Sequence, residues 1–283
     1  MNTPPTTVKV DKHPLLHNVL SNATWMGKDH FPSREEFADE AEKWLNFASQ
    51  HGRWPQYRPR LVGGTCASRD ETLKELAVGF FLEEIAQTPI CEWEPKGADG
   101  TPGEYLCKSG ETLIFCEVKS PGWEWSFIRE QGKHTPRLKQ PKHIHAEART
   151  VGNTDDLWYC VEKAYPAMPN DKATLLVIAD DLWFPLRLDD LTIDRVLHYP
   201  PDALPYSEPP RSGCFTSTAF DRLGAIAFFD EHLSVETGVF EYRFKVFPNP
   251  FCLSTVRLPE IFISRWRGIC SFCTESEPAN FKQ

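Results

Sequence analysis

Residues 173–179, Ala-Thr-Leu-Leu-Val-Ile-Ala, form the most restrictive stretch of the chain, because they carry no charge and no alternation. A strand with one wet face alternates apolar and polar residues; one that does not alternate is covered on both faces. A chain containing such a strand must supply two covering layers. The segments around it are suited to that task. Residues 33–49 start with Ser33-Arg-Glu-Glu36, a capping box, and place Phe37, Ala41, Trp44, Leu45 and Ala48 on one helical stripe. A second helix is expected from Ser68 or Asp70 to Gln87, with Leu73, Leu76, Ala77, Phe80, Phe81 and Ile85 inward and Pro89 as its stop. A third begins at Thr154 or Asp155, and a short one is expected over 189–196. Two further strands are expected over 224–229 and 239–247. Residues 52–64, with Pro55, Pro59 and the basic Arg53, Arg58 and Arg60, read as a loop. The order implies an α/β fold with a mixed central β-sheet flanked by helices. Residues 1–32 read as an extended N-terminal arm in which Leu15, Leu16, Val19 and Leu20 allow one short turn, and 33–283 as a single domain, with its core at about 70–247 and a segment inserted at 121–152.

Two β-rich runs flank Lys108-Ser-Gly-Glu111, a hairpin signal. A two-residue turn at Ser109-Gly110 sets Lys108 against Glu111 and Glu104 against Phe115, with Glu117 diagonally beyond. Period 2 sends Glu117 and Lys119 to the same face. Two carboxylates and an amine are thus expected together at the strand ends. Neighbouring carboxylates repel, and burial raises the cost. A divalent ion with hard oxygen ligands, Mg²⁺ or Mn²⁺, removes it and activates water and phosphoryl groups. Lys119 beside it can orient the water or neutralise charge on the phosphate. Taken alone, Glu-x-Lys is a common strand-end ion pair; the hairpin acid at a fixed distance gives it meaning.

These residues, Glu104-x12-Glu117-Val-Lys119, resemble the PD-(D/E)xK nuclease superfamily over about residues 70–180. The spacing is similar to that of archaeal Holliday-junction resolvases. The resemblance implies a restriction-endonuclease-like core and a metal-dependent nuclease hydrolysing phosphodiester bonds, an endonuclease acting on DNA more readily than RNA. It also implies a role such as defence, restriction or repair. The family's first acid is usually an Asp after Pro. Here Pro102-Gly103-Glu104 offers a Glu one residue later, with Asp99 as the rival. The family often adds a Glu from the preceding helix. Glu75 fits that role, with Glu71, Glu83 and Glu84 competing, as does the plain reading of a solvated helix charge. The resemblance therefore implies Glu104, Glu117, Lys119 and Glu75 as catalytic residues and Glu104 and Glu117 as ligands of Mg²⁺ or Mn²⁺. The alternative is a catalytically inactive member of the fold, acting as a nucleic-acid-binding or protein-interaction module.

Charge bears on the partner. Lys and Arg number 31 against 40 Asp and Glu, a net charge of −9, which argues against a generally basic binder of nucleic acid. Residues 121–150 depart from this with six Lys and Arg against three Glu. Arg129, Lys133, Arg137, Lys139 and Lys142 are the candidate nucleic-acid contacts, interleaved with Trp123, Trp125 and Phe127. Lys163 is a further candidate phosphate contact. Cys270 and Cys273 lack the companion pair a zinc site needs. Nine scattered cysteines read as reduced thiols in a cytoplasmic protein. No uncharged run approaches the ~20 residues of a membrane span. The apolar stretch 251–272 is either core or the interface of a homodimer or protein partner.

Overall fold

The computed structural model describes residues 6–23, 35–63, 66–120, 157–158, 160–179, 196–198, 213–233 and 240–269. Six strands form one sheet in sequence order: β1 (Ile90–Trp93), β2 (Tyr105–Ser109), β3 (Thr112–Lys119), β4 (Ala173–Ala179), β5 (Ala225–Leu233) and β6 (Phe240–Pro248). Strands β3, β4 and β5 run parallel, and antiparallel pairs flank them on both sides. The uncharged run 173–179 is β4, the middle of the parallel trio, and every residue in it is buried. The expected mixed sheet between helices is therefore present.

Strand alternation divides the core in two. Ile114, Cys116 and Val118 of β3 and Leu175 and Val177 of β4 face one apolar layer. That layer is built by α1 (Pro14–Asn22), α2 (Glu35–Gln50), α3 (Trp54–Gly63), α4 (Cys66–Phe80) and α5 (Glu260–Ile269). Phe115, Leu176 and Ile178 face the other, which holds Leu157, Val161 and Ala164 from helical residues between β3 and β4. Among the described residues no helix is long and apolar enough to cross a membrane, and the cysteines at 91, 107, 116, 160, 214 and 252 are free.

Two features differ from the sequence reading. The N-terminal arm contains α1, whose Leu16, Val19 and Leu20 are buried. Its first-turn backbone donors, which have no partner within the helix, are met from a distance: Glu42 of α2 accepts from Leu15 N at 3.1 Å and Leu16 N at 2.8 Å. The basic loop is mostly helix α3. Pro55 sits in its first turn, where proline is tolerated, and burial of Tyr57 and Leu61 four residues apart holds it despite Pro59. The stretch from residue 251, left open as core or interface, divides in its described part: Cys252, Val256, Leu258, Phe262 and Ile263 are buried, while Phe251, Leu253 and Ile261 are exposed. The Ser33 cap and Cys270 and Cys273 lie outside the described residues.

Helix α4 is fastened to the sheet by charge. The Lys74 ammonium pairs with Glu231 of β5, and both side chains are fully buried. Loss of water pushes the Glu231 carboxyl up, against the pull of Lys74. Breaking such a pair from one side leaves an uncompensated buried charge, a cost of about 3–5 kcal/mol, whereas removing both partners is often neutral or stabilising. Urea unfolding should therefore show Lys74→Met strongly destabilised, with most of the loss recovered in Lys74→Met/Glu231→Leu.

Candidate active site

The site forms where β2 begins and β3 ends. The hairpin turns at Gly110-Glu111, with Ser109 paired to Thr112 and Tyr105 to Cys116. Gly110 has a φ of 59° at the first central position, which a two-residue turn of this kind reserves for glycine. The pairing is thus two residues removed from that of a turn at Ser109-Gly110. An even displacement keeps every side chain on its face. Its effect is to bring Glu104 level with Glu117 instead of diagonal to it. Gly103 lets the chain enter here: a Cβ on it would lie 2.4 Å from the Phe115 ring.

Glu104 is aimed by the ladder itself. Glu104 N donates to Cys116 O at 3.2 Å. One step on, Glu104 Oε2 accepts from Val118 N at 2.7 Å, taking the place of a main-chain carbonyl. Glu117 follows Phe115 on the same face and is buried. Its Oε1 pairs with Lys119 Nζ, its carboxyl lies against that of Glu104, and Glu117 Oε2 is buried without an N–H or hydroxyl donor among the described residues. Lys119 Nζ also lies 3.7 Å from Glu104 Oε1 and donates to Val118 O at 3.3 Å.

Burial, and then the charge of Glu117, push the Glu104 carboxyl well above the usual carboxylate range. Burial also raises Glu117, although Lys119 pulls the other way. Burial draws the Lys119 ammonium down, but the two carboxylates outweigh it and push it up to about 12. The centre is thus a costly carboxyl pair steadied by one ammonium.

Glu75 is held beside it from two directions. Its main-chain carbonyl accepts from Tyr105 Oη at 2.7 Å, and its carboxylate Oε1 accepts from Arg60 Nη2 at 2.6 Å. Tyr105 is the chain neighbour of Glu104, so α4 and β2 are tied together at the site. The charge of Glu75 acts on Glu104, Glu117 and Lys119. Of its rivals, Glu83 is spent on His51 at 3.1 Å and Ile90 N at 3.0 Å, and Glu84 is exposed. Glu71 lies near Glu75 and also senses Lys119 and Lys163. Asp99 is exposed and bonded to Thr101 N at 2.9 Å and Thr101 Oγ1 at 2.6 Å, so Glu104 stands beside Glu117 where Asp99 does not.

The donor set suits a hard divalent ion: two carboxylates, one with a buried oxygen that lacks an N–H or hydroxyl donor. Among the described residues no group of three or more His, Cys, Asp or Glu side chains is gathered to hold a metal. Glu104 and Glu117 would therefore leave most of the coordination to water and substrate, as Mg²⁺ prefers. Arg129, Lys133, Arg137, Lys139 and Lys142 lie outside the described residues. The sequence reading did not connect Arg60 with the site. Its basic neighbours go elsewhere: Arg53 stacks on Trp93, its Cζ 5.7 Å from the ring centroid, and Arg58 bonds Asn18 at 3.1 Å. No family model, no curated protein and no solved structure matches the chain.

The strained pair has a thermodynamic consequence. A carboxyl whose folded-state value is raised binds extra protons in the native protein. The stability this gives is complete below the ordinary carboxylate range and is lost as pH rises through the raised value. Metal-free Glu104→Gln keeps an acceptor for Val118 N and removes one buried charge. It should melt above the parent at pH 7, by about 2 °C for each kcal/mol gained. Thermal scans should show that advantage shrinking as pH falls toward 4.

Proposed function

We propose that this protein is a metal-dependent nuclease that hydrolyses phosphodiester bonds, acting as an endonuclease on DNA in preference to RNA, on a restriction-endonuclease-like core. The observation that carries the reading is the convergence of Glu104, Glu117 and Lys119 at the carboxyl end of β3, with the two carboxyls side by side and the buried Glu117 Oε2 lacking an N–H or hydroxyl donor. In open α/β sheets, ligands gather at the carboxyl ends of parallel strands.

Each side chain has a distinct task in this scheme. Glu104 and Glu117 hold Mg²⁺ or Mn²⁺. When bound, the ion polarises a phosphoryl oxygen and eases deprotonation of the attacking water. Lys119 keeps its proton and directs it toward the attacking water or the equatorial phosphate oxygens, where negative charge grows. Glu75, steadied by Arg60 and Tyr105, adds a further acceptor whose charge acts on Glu104, Glu117 and Lys119. The water's oxygen forms a new bond to phosphorus as its proton leaves to solvent, the bond to the leaving deoxyribose oxygen breaks, and that oxygen takes a proton back from solvent.

A second reading, a catalytically silent nucleic-acid-binding or protein-interaction module of the same fold, draws support from the pairing of Lys119 with the carboxylates. An ammonium already neutralises much of what a cation would. Calorimetric titration with Mn²⁺ separates the two: binding that depends on Glu117 favours the enzyme, and its absence favours the module.

Incubation with plasmid, linear, single-stranded and branched DNA in Mg²⁺ and Mn²⁺ tests the activity. Cleavage is expected, and Glu117→Ala and Lys119→Ala should each lower it at least about a hundredfold while keeping the parent's circular dichroism. Full cleavage by both folded variants would discard the mechanism.

A further inference from the structure

The charged side chains of the candidate site are layered by depth. Side-chain exposure is 5% for Glu117, 12% for Glu75 and 14% for Glu104, then 27% for Lys119 and 39% for Arg60. Lys163 is exposed. Except for Glu71, which is exposed near Glu75, the acids form the floor and the cations rise toward solvent. A floor of this sign attracts a metal ion, whereas a phosphate needs positive charge on its approach.

The two outermost cations come from opposite layers of the protein. Arg60 belongs to α3, whose Tyr57 and Leu61 are packed in the layer of the N-terminal helices. Lys163 is on the helical residues whose Leu157, Val161 and Ala164 pack in the other layer. The charges of both act on one acid, Glu71, and Arg60 also binds Glu75 directly. Arg60 is also sensed by Glu104, whose charge acts on its guanidinium.

Arg60 is held in a fixed pose. Its Nη2 is fastened to Glu75 at 2.6 Å, and its Cζ lies 5.5 Å from the centroid of the buried Tyr57 ring. The guanidinium carries five donors in a rigid fork, and among the described residues its hydrogen bonds go to Glu75 alone. A planar fork with open donors and little freedom left to lose is suited to two oxygens of a phosphate.

From this layering we propose that Arg60 and Lys163 are the two sides of a phosphate-binding rim that seats the DNA backbone over the carboxylate floor, one contact from each layer of the protein. The proposal rests on the nuclease reading and assigns it contacts outside segment 121–152. Glu71 opposes the rim, so its removal should help binding where loss of Arg60 hinders it.

The test is the salt dependence of binding to a fluorescein-labelled DNA duplex in Ca²⁺, read by anisotropy. Each lost phosphate contact should reduce the slope of log K against log salt by about 0.9. Arg60→Ala and Lys163→Ala should each show that loss, the double variant about twice it, Arg60→Lys should keep the parental slope, and Glu71→Gln should tighten binding. Lys163 is exposed, so its variant reads the contact without touching the core. Parental slopes in both alanine variants, with the parent still cleaving DNA, would overturn the rim and leave the nuclease reading intact. A parent that neither binds nor cleaves DNA would overturn both.

Discussion

Strands β3, β4 and β5 are covered on both faces, and this double covering is the constraint on which the molecule depends. It requires two apolar layers, which the N-terminal helices and the crossover between β3 and β4 supply. It also sets the cost of every polar group placed among them. Where the covered strand β3 ends, the last residues on the Phe115 face are Glu117 and Lys119, so a carboxylate and an ammonium enter a region already dry. The raised carboxyls of Glu104 and Glu117 follow from that covering, and so does their demand for a proton, an ammonium or a metal ion.

Much of this is legible in the residues themselves. The uncharged run of β4, the amphipathic stripes of α2 and α4 and the hairpin acids depend on periodicities of two and 3.6, and those are local properties of the chain. What escaped depends on distant partners. Helix α1 has an unremarkable N-terminus until Glu42, 27 residues after Leu15, accepts its backbone donors. Helix α3 carries two prolines that argue for a loop, and tertiary burial of Tyr57 and Leu61 overrides them. Strand β1 is four residues with a mostly exposed pattern and offers no clear period.

The site shows the same division. Glu104, Glu117 and Lys119 could be named from hairpin spacing, whereas Glu75 comes only from the family resemblance, with Glu71, Glu83 and Glu84 as rivals. The pairing was displaced by two residues, since either Ser109-Gly110 or Gly110-Glu111 makes an acceptable turn and only the packed sheet decides between them. An even displacement preserves faces, which is why the constellation survives it. Arg60 was invisible as a member, because its approach to Glu75 exists only once the proline-containing segment winds into a helix.

Lys74 and Glu75 are consecutive on α4, and about 100° of helical rotation separates them. Lys74 is plugged into β5 through Glu231, while Glu75 stands beside the carboxylate pair. The buried plug therefore works as a keyway: it fixes the azimuth of the helix, and with it the bearing of the next residue. A turn of α4 large enough to swing Glu75 away would have to draw an ammonium out of a dry slot. The aim of the polar face is thereby set by a bond on the face it never touches.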